Sequence, residues 1–84
     1  MPEEKVGIVI RYFSKISVAA IRLDGSLSVG DKIHIQGHTT DYTQEVGSMQ
    51  IENQNVQSAG PGADIGVKVQ DRVREHDTVY RVTD

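Results

Sequence analysis

The chain has 84 residues and no cysteine, with nine Lys and Arg against twelve Asp and Glu for a formal net charge of −3. That length suffices for one domain with a modest core, the absence of cysteine excludes disulfides and thiolate metal ligands, and the acidic balance argues against a protein whose work is to neutralise phosphate. The apolar share of 37% suits a soluble globular chain, no apolar run approaches the ~18–20 residues of a membrane span, and the polar start is unlike a signal peptide, so a cytoplasmic location is expected.

Period-2 alternation recurs along the chain and helical stripes are absent, which predicts strands throughout. Residues 1–5 read as a flexible tail ahead of one domain over 6–84. Residues 5–13 form a first strand with Val6, Ile8 and Ile10 on one face, and Ser14 and Lys15 turn into a second over 17–23, where Ala19, Ile21 and Leu23 share a face. Asp24-Gly25 is a turn signal, because glycine accepts positive φ and aspartate bonds its own backbone. Gly30-Asp31 is another, after which Ile33 and Ile35 alternate with Lys32, His34 and Gln36. A loop over 37–41 leads to a long strand over 42–51, bent at Gly47-Ser48 by a bulge. The polar stretch 53–55 follows, with Val56 as a short edge contact. Gly60-Pro61-Gly62 is a compact turn, 64–70 a strand with Ile65, Val67 and Val69 inward, 71–77 a charged connection and 78–82 the last strand. Short strands with turn signals every 8–12 residues predict an all-β fold: a small, six- to seven-stranded, mostly antiparallel closed β-barrel, since closure removes edges.

Residues 27–35, LSVGDKIHI, carry the pattern L-x-V-G-D-x-I/V-x-I/V, which resembles the second, β-barrel domain of elongation factor Tu and related translational GTPases. Residues 47–51 and 59–67 are similar to that family's T-G-V-E-M strand and its A-G-D-N-V-G-V turn, and 73–80 to its final strand. As a whole the chain resembles stand-alone elongation-factor-like proteins made of this barrel only. The opening Gly7-Ile8-Val9-Ile10-Arg11-Tyr12 and the Val-Gly-Asp turn also resemble the carboxy-terminal barrel of collagenase-like peptidases. The GTPase phosphate loop, G-x-x-x-x-G-K-[ST], has no counterpart here, so GTP hydrolysis is excluded. Where the family's barrel holds the aminoacylated end of tRNA with a glutamate, a histidine, an arginine and an asparagine, this chain has Gln50, Glu52, Asn53 and Asp64. Loss of the arginine and histidine removes the groups suited to phosphate and carboxylate oxygens, so that function is not carried over.

Little else points to chemistry. Gly60-Pro61-Gly62 lacks the helix and lysine of a phosphate loop and reads as a turn. His34, His38 and His76 match no metal-ligand spacing and read as surface histidines. No activated nucleophile or paired carboxylate is visible, so no catalytic, metal or cofactor site is expected and the protein is read as a non-enzyme. Arg72, Arg74 and Arg81 with Lys68 are interspersed with acids, as on a solvated surface. Tyr12-Phe13 differs. Adjacent strand residues face opposite ways, so one ring must lie outside or close a barrel end. The candidate partner-binding surface is therefore Arg11, Tyr12, Phe13 and Lys15, with the loop residues His38 and Tyr42. The expected role is an adaptor of the translation-factor type contacting a protein or ribonucleoprotein, with RNA bound only weakly and neither DNA nor membrane engaged. The alternative is a protein-interaction subunit of a separately encoded enzyme such as a collagenase-like peptidase.

Overall fold

In the computed structural model, which describes residues 3–83, the alternating segments become ten strands: β1 (Glu3–Phe13), β2 (Val18–Leu23), β3 (Leu27–Ser28), β4 (Lys32–Gln36), β5 (Asp41–Glu45), β6 (Met49–Ile51), β7 (Gln54–Val56), β8 (Ser58–Ala59), β9 (Asp64–Lys68) and β10 (Thr78–Val82). Eight share one sheet in the order β5-β4-β10-β1-β2-β9-β6-β7, and β3 pairs with β8 in a small ribbon. Every pairing is antiparallel. The all-β, barrel-like class is as expected, but there are more strands than six or seven. The additional ones are two or three residues long, too short to display alternation. No helix among the described residues is long and apolar enough to cross a membrane.

The chain's start departs from the expected tail. Met1 and Pro2 lie outside the described residues, but Glu3, Glu4 and Lys5 belong to β1 and pair with Val82, Arg81 and Tyr80. Ion pairs at each residue hold them: Glu3 to His34 at 2.9 Å, Glu4 to Arg81 at 2.6 Å and Lys5 to Asp24 at 3.8 Å. Charge made this segment look unstructured, yet here charge is the outward half of a strand.

The core is built from Val6, Val9, Ala19, Ile21, Leu23, Leu27, Ile33, Ile35, Val46, Met49, Ile65, Val67, Val69, Val73 and Val79. Ile8 and Ile10, expected inside, are only half-buried. Two register shifts in β1 explain the difference, one between Lys5 and Gly7 and one between Val9 and Arg11. Each bulge adds a residue and resets the parity of the faces. Val6 and Val9 thus turn inward at an odd spacing, and beyond the second bulge Tyr12, rather than Arg11, packs toward the core. Gly7 directly follows the first bulge, where a Cβ would lie 2.7 Å from the Arg22 carbonyl oxygen and 2.8 Å from Ile21 Cγ2. Only glycine fits there.

The expected long strand 42–51 is two strands. β5 pairs with β4, and β6 pairs with β7 and β9. Gly47-Ser48 is therefore a corner at which the chain changes partners, not a bulge in a continuous strand. The edge of β5 meets the backbone beyond β9 through a side chain. Gln44 Nε2 donates to the carbonyls of Lys68 (3.0 Å) and Glu45 (3.2 Å), and Gln44 Oε1 accepts from the N–H of Gln70 (2.8 Å). The buried amide occupies the place a ladder peptide would take, and it satisfies backbone groups that would otherwise be orphaned.

Candidate protein-binding groove

The predicted surface divides in two. The second bulge sends Tyr12 inward, where it packs on the core together with Tyr42. Tyr42 donates its hydroxyl to the Asp71 carbonyl at 3.0 Å. Burial pushes the Tyr42 phenol pKa up, and Tyr12 is near enough to add to the shift. His38 is exposed in the turn between β4 and β5, away from Phe13. Arg11 and Phe13 sit opposite Ala20 and Val18 on the outward face of the β1–β2 pair, and Lys15 is exposed in the turn that joins them.

Phe13 is 43% exposed and Ile16 61%, the exposed large hydrophobic side chains of the described residues. Both line one groove of about 400 Å³ with Val18, Ala20, Ile65 and Gly66 as its floor. The floor is shallow because Ala20 faces Gly66 across the β2–β9 ladder and neither projects far. Gln50, Glu52, Asn53 and Asp64 line the same groove. These four positions, scattered over fifteen residues of sequence, are brought together by the β6–β7 hairpin pairing edge to edge with β9.

Backbone conformation concentrates here as well. Glu52 (φ 52°) and Asn53 (φ 66°) form the two-residue turn between Ile51 and Gln54, and Ser17 (φ 56°) follows Ile16. A two-residue hairpin with both φ values positive favours Asn and Gly. Glutamate in that position costs about 1–2 kcal/mol relative to a right-handed residue. Three of the four non-glycine residues in the left-handed region among the described residues thus border the groove. Backbone strain of this kind gathers at binding and switch sites.

The electrostatics are mixed. The lining has two carboxylates, Glu52 and Asp64, and cations border it, with Arg11 opposite Ala20, Lys68 opposite Val18 and Arg22 opposite Asp64. Arg22 reaches Asp64 from outside with Nε at 3.0 Å and Nη2 at 3.5 Å, and that bond raises the guanidinium pKa. Gln50 Nε2 donates to Asn55 Oδ1 at 3.1 Å, which fixes the amide on the hairpin. His34 lies elsewhere, with Nε2 2.5 Å from Asp41 Oδ1 and Nδ1 2.9 Å from Glu3 Oε2. Its pKa is raised, chiefly by the bond to Asp41. It therefore braces β1, β4 and β5 rather than standing free on the surface. Among the described residues no group of three or more His, Cys, Asp or Glu side chains is placed to hold a metal ion.

Sequence reasoning named Phe13 but missed Ile16, Val18, Ala20 and Gly66. The available signal was Ile16 itself, a large apolar residue inside a turn flanked by Lys15 and Ser17.

Fold and site together describe a small antiparallel, barrel-like β module with a shallow, partly apolar groove. No family model matches the chain. An uncharacterized protease of Methanocaldococcus jannaschii is 44% identical over 77 residues, covering 90% of this chain and 19% of that protein. A collagenase of Porphyromonas gingivalis is 40% identical over 78 residues, covering 90% of this chain and 22% of that one. The chain thus spans about a fifth of the length of the curated relatives it matches. Among solved structures, the C-terminal domain of a Geobacillus thermoleovorans putative U32 peptidase superposes with a TM-score of 0.89 at 18% identity, covering 95% of this chain and 93% of that one. A selenomethionine variant of that domain gives a TM-score of 0.86 at 19% identity, covering 90% and 96%. The chain is a relative of part of these proteases and has the fold of the peptidase C-terminal domain. These comparisons support the peptidase half of the sequence resemblance and lend none to the translation-factor half.

Proposed function

We propose that the chain is a non-catalytic, partner-binding barrel that serves the catalytic unit of a collagenase-like peptidase, whether carried beside it or encoded apart. One observation carries this reading. The chain superposes over 95% of its length on the C-terminal domain of a solved peptidase structure, while matching only about a fifth of the full-length proteases. The remaining length of those proteins is where catalysis would reside. The groove at Phe13 and Ile16 supports a binding role, because contiguous exposed apolar surface flanked by polar groups is what protein contacts bury.

The partner surface is accordingly the outward face of β1–β2 and its turn, with Arg11, Phe13 and Lys15, rather than the core-packed rings Tyr12 and Tyr42 or the loop at His38. A protein suits it better than RNA. The net charge is −3, and phosphate binding rests on an excess of cations that this chain lacks. Affinity capture on the tagged chain in native extract, with and without nuclease, tests the reading. A peptidase-family chain retained after nuclease is the expected result. Ribosomal components lost on nuclease treatment would restore the translation reading. Hydrolysis of a denatured-collagen substrate by the purified chain alone would refute the non-catalytic assignment.

A further inference from the structure

Strand pairing sets the outward side chains around the groove in rows, and their chemistry deepens the partner-binding reading above, on which this inference rests. Phe13, Val18 and Lys68 form one row, Arg11, Ala20, Gly66 and Gln50 the next, and Arg22 and Asp64 the third. Lys15 and Ile16 lie in the turn beyond the first row. Glu52 lies just past β6, which runs antiparallel to β9, and so is carried toward the level of Asp64. The middle row is the recess, because Ala20 and Gly66 project least, and Phe13, Ile16 and Val18 wall it on the turn side. Charge divides along the same direction. Arg22 answers Asp64 at 3.0 Å. Arg11, Lys15 and Lys68 are exposed and enter no ion pair among the described residues. Glu45 borders the cavity on the far side of Lys68 without pairing with it. Glu52 is the free carboxylate of the groove lining. Three free cations thus stand beside the exposed apolar side chains on a chain whose net charge is −3, and the carboxylates stand at the hairpin end. A cationic occupant would meet three like charges. A nucleic acid stacks its bases on rings, whereas the exposed apolar side chains here are one ring, Phe13, and one aliphatic, Ile16. Its phosphates recur at every nucleotide and would also run over Glu52 and Asp64. A peptide can place a carboxylate where the cations are and nowhere else.

We propose that the groove takes an extended segment of the partner protein in which an aliphatic side chain enters the Ala20–Gly66 recess and an aspartate or glutamate two residues away lies among Lys68, Lys15 and Arg11. Residues i and i+2 of an extended chain share a face about 6.6–7 Å apart, and the step from the Ala20 row to the Val18 row is the same two residues. Charge complementarity at the turn end selects this occupant over a cationic or uncharged segment.

The test is a titration of the isotopically labelled chain with acetyl-Gly-Ser-Leu-Ser-X-Ser-Gly-amide peptides and their order-reversed counterparts, where X is glutamate, glutamine or lysine, read by amide chemical shifts. The glutamate peptide, in one order or the other, should move the amides of Ala20, Gln50, Gly66 and Lys68. Glutamine, which keeps the shape and lacks the charge, should bind about threefold more weakly, the scale of one exposed ion pair, and lysine should not bind. Lys15→Gln with Lys68→Gln should bring the glutamate peptide down to the glutamine level and leave the glutamine peptide unchanged. Added salt should weaken the glutamate peptide alone, because exposed charges are screened. Glutamine binding as well as glutamate, or lysine binding more tightly, would overturn the acidic anchor and leave the partner-binding barrel standing. Peptides moving the amides around His38 and Tyr42 instead, or a single-stranded oligonucleotide held at the groove more tightly than any of the peptides, would overturn both.

Discussion

Two regions of the molecule treat polar and apolar groups in contrary ways. Along the seam between β5 and the segment after β9, polar groups are buried and matched: Gln44 serves two strand edges with one amide. In the neighbouring corner, the Asp77 carboxylate is buried and accepts from the Arg74 N–H at 2.8 Å. At the groove, apolar groups are exposed and the backbone is strained, with Phe13 and Ile16 in solvent and Ser17, Glu52 and Asn53 in the left-handed region. The seam has the marks of stability, since every buried group is answered within the chain. The groove has the marks of a contact completed from outside, since its apolar surface is not. Mutations in the two regions should therefore separate folding from binding.

The largest effect is expected at Gln44. Gln44→Leu keeps the bulk but strands the Lys68 carbonyl and the Gln70 N–H, at about 1–3 kcal/mol for each orphaned group. Chemical denaturation should show a large drop in midpoint, and an unchanged midpoint would mean that the seam is not held by this amide. Gly37→Ala comes next. An added Cβ would fall on Asp77 Oδ1 and displace the carboxylate that organises the turn, a crowding cost of about 1–3 kcal/mol. If Gly37→Ala is neutral, Asp77 has room to move and the corner is looser than the seam.

The His34 brace should give a smaller, pH-dependent effect. Folding raises the His34 pKa above 6.5, so its contribution is fully present below pH 6.5, with Glu3 and Asp41 ionised, and is lost as pH rises through the folded-state value. Half-exposed pairs of this kind contribute about 0.2–1 kcal/mol. Thermal melts between pH 6 and 8 should show a shallow decline that His34→Gln abolishes, and a stability rising with pH through His34 would contradict the geometry. The smallest stability change belongs to the groove. Phe13→Ser and Ile16→Ser should stay within about 0.5 kcal/mol of the parent while removing partner capture. A substantial loss of stability from either would place the groove with the seam, as structure rather than contact surface.

Much of the fold was legible because alternation and turn chemistry are local. β4 and β10 appear where Ile33 and Ile35, and Val79, alternate with polar neighbours, and the Asp24-Gly25 and Gly30-Asp31 turns fall between strands as their residue types require. Ile65 and Val67 of β9, and Val69 just beyond it, are buried as their pattern predicted. The groove was only partly legible. Phe13 follows from the rule that adjacent rings must part, but its companions lie on β2, β6 and β9 and become neighbours only through pairing.

What the sequence determined by itself was the strand class, most of the turns and most of the core, because each depends on residues within a few positions of one another. What only the tertiary structure decided was which face each part of β1 presents, where β5 ends and β6 begins, and what assembles beside Phe13. A period-2 pattern assigns faces only while the register is unbroken. The bulges at Val6 and Ile10 reset that register in answer to the partner strands β10 and β2, and no local property of β1 announces them. The same dependence on distant pairing gathers Phe13, Glu52 and Gly66 around one groove.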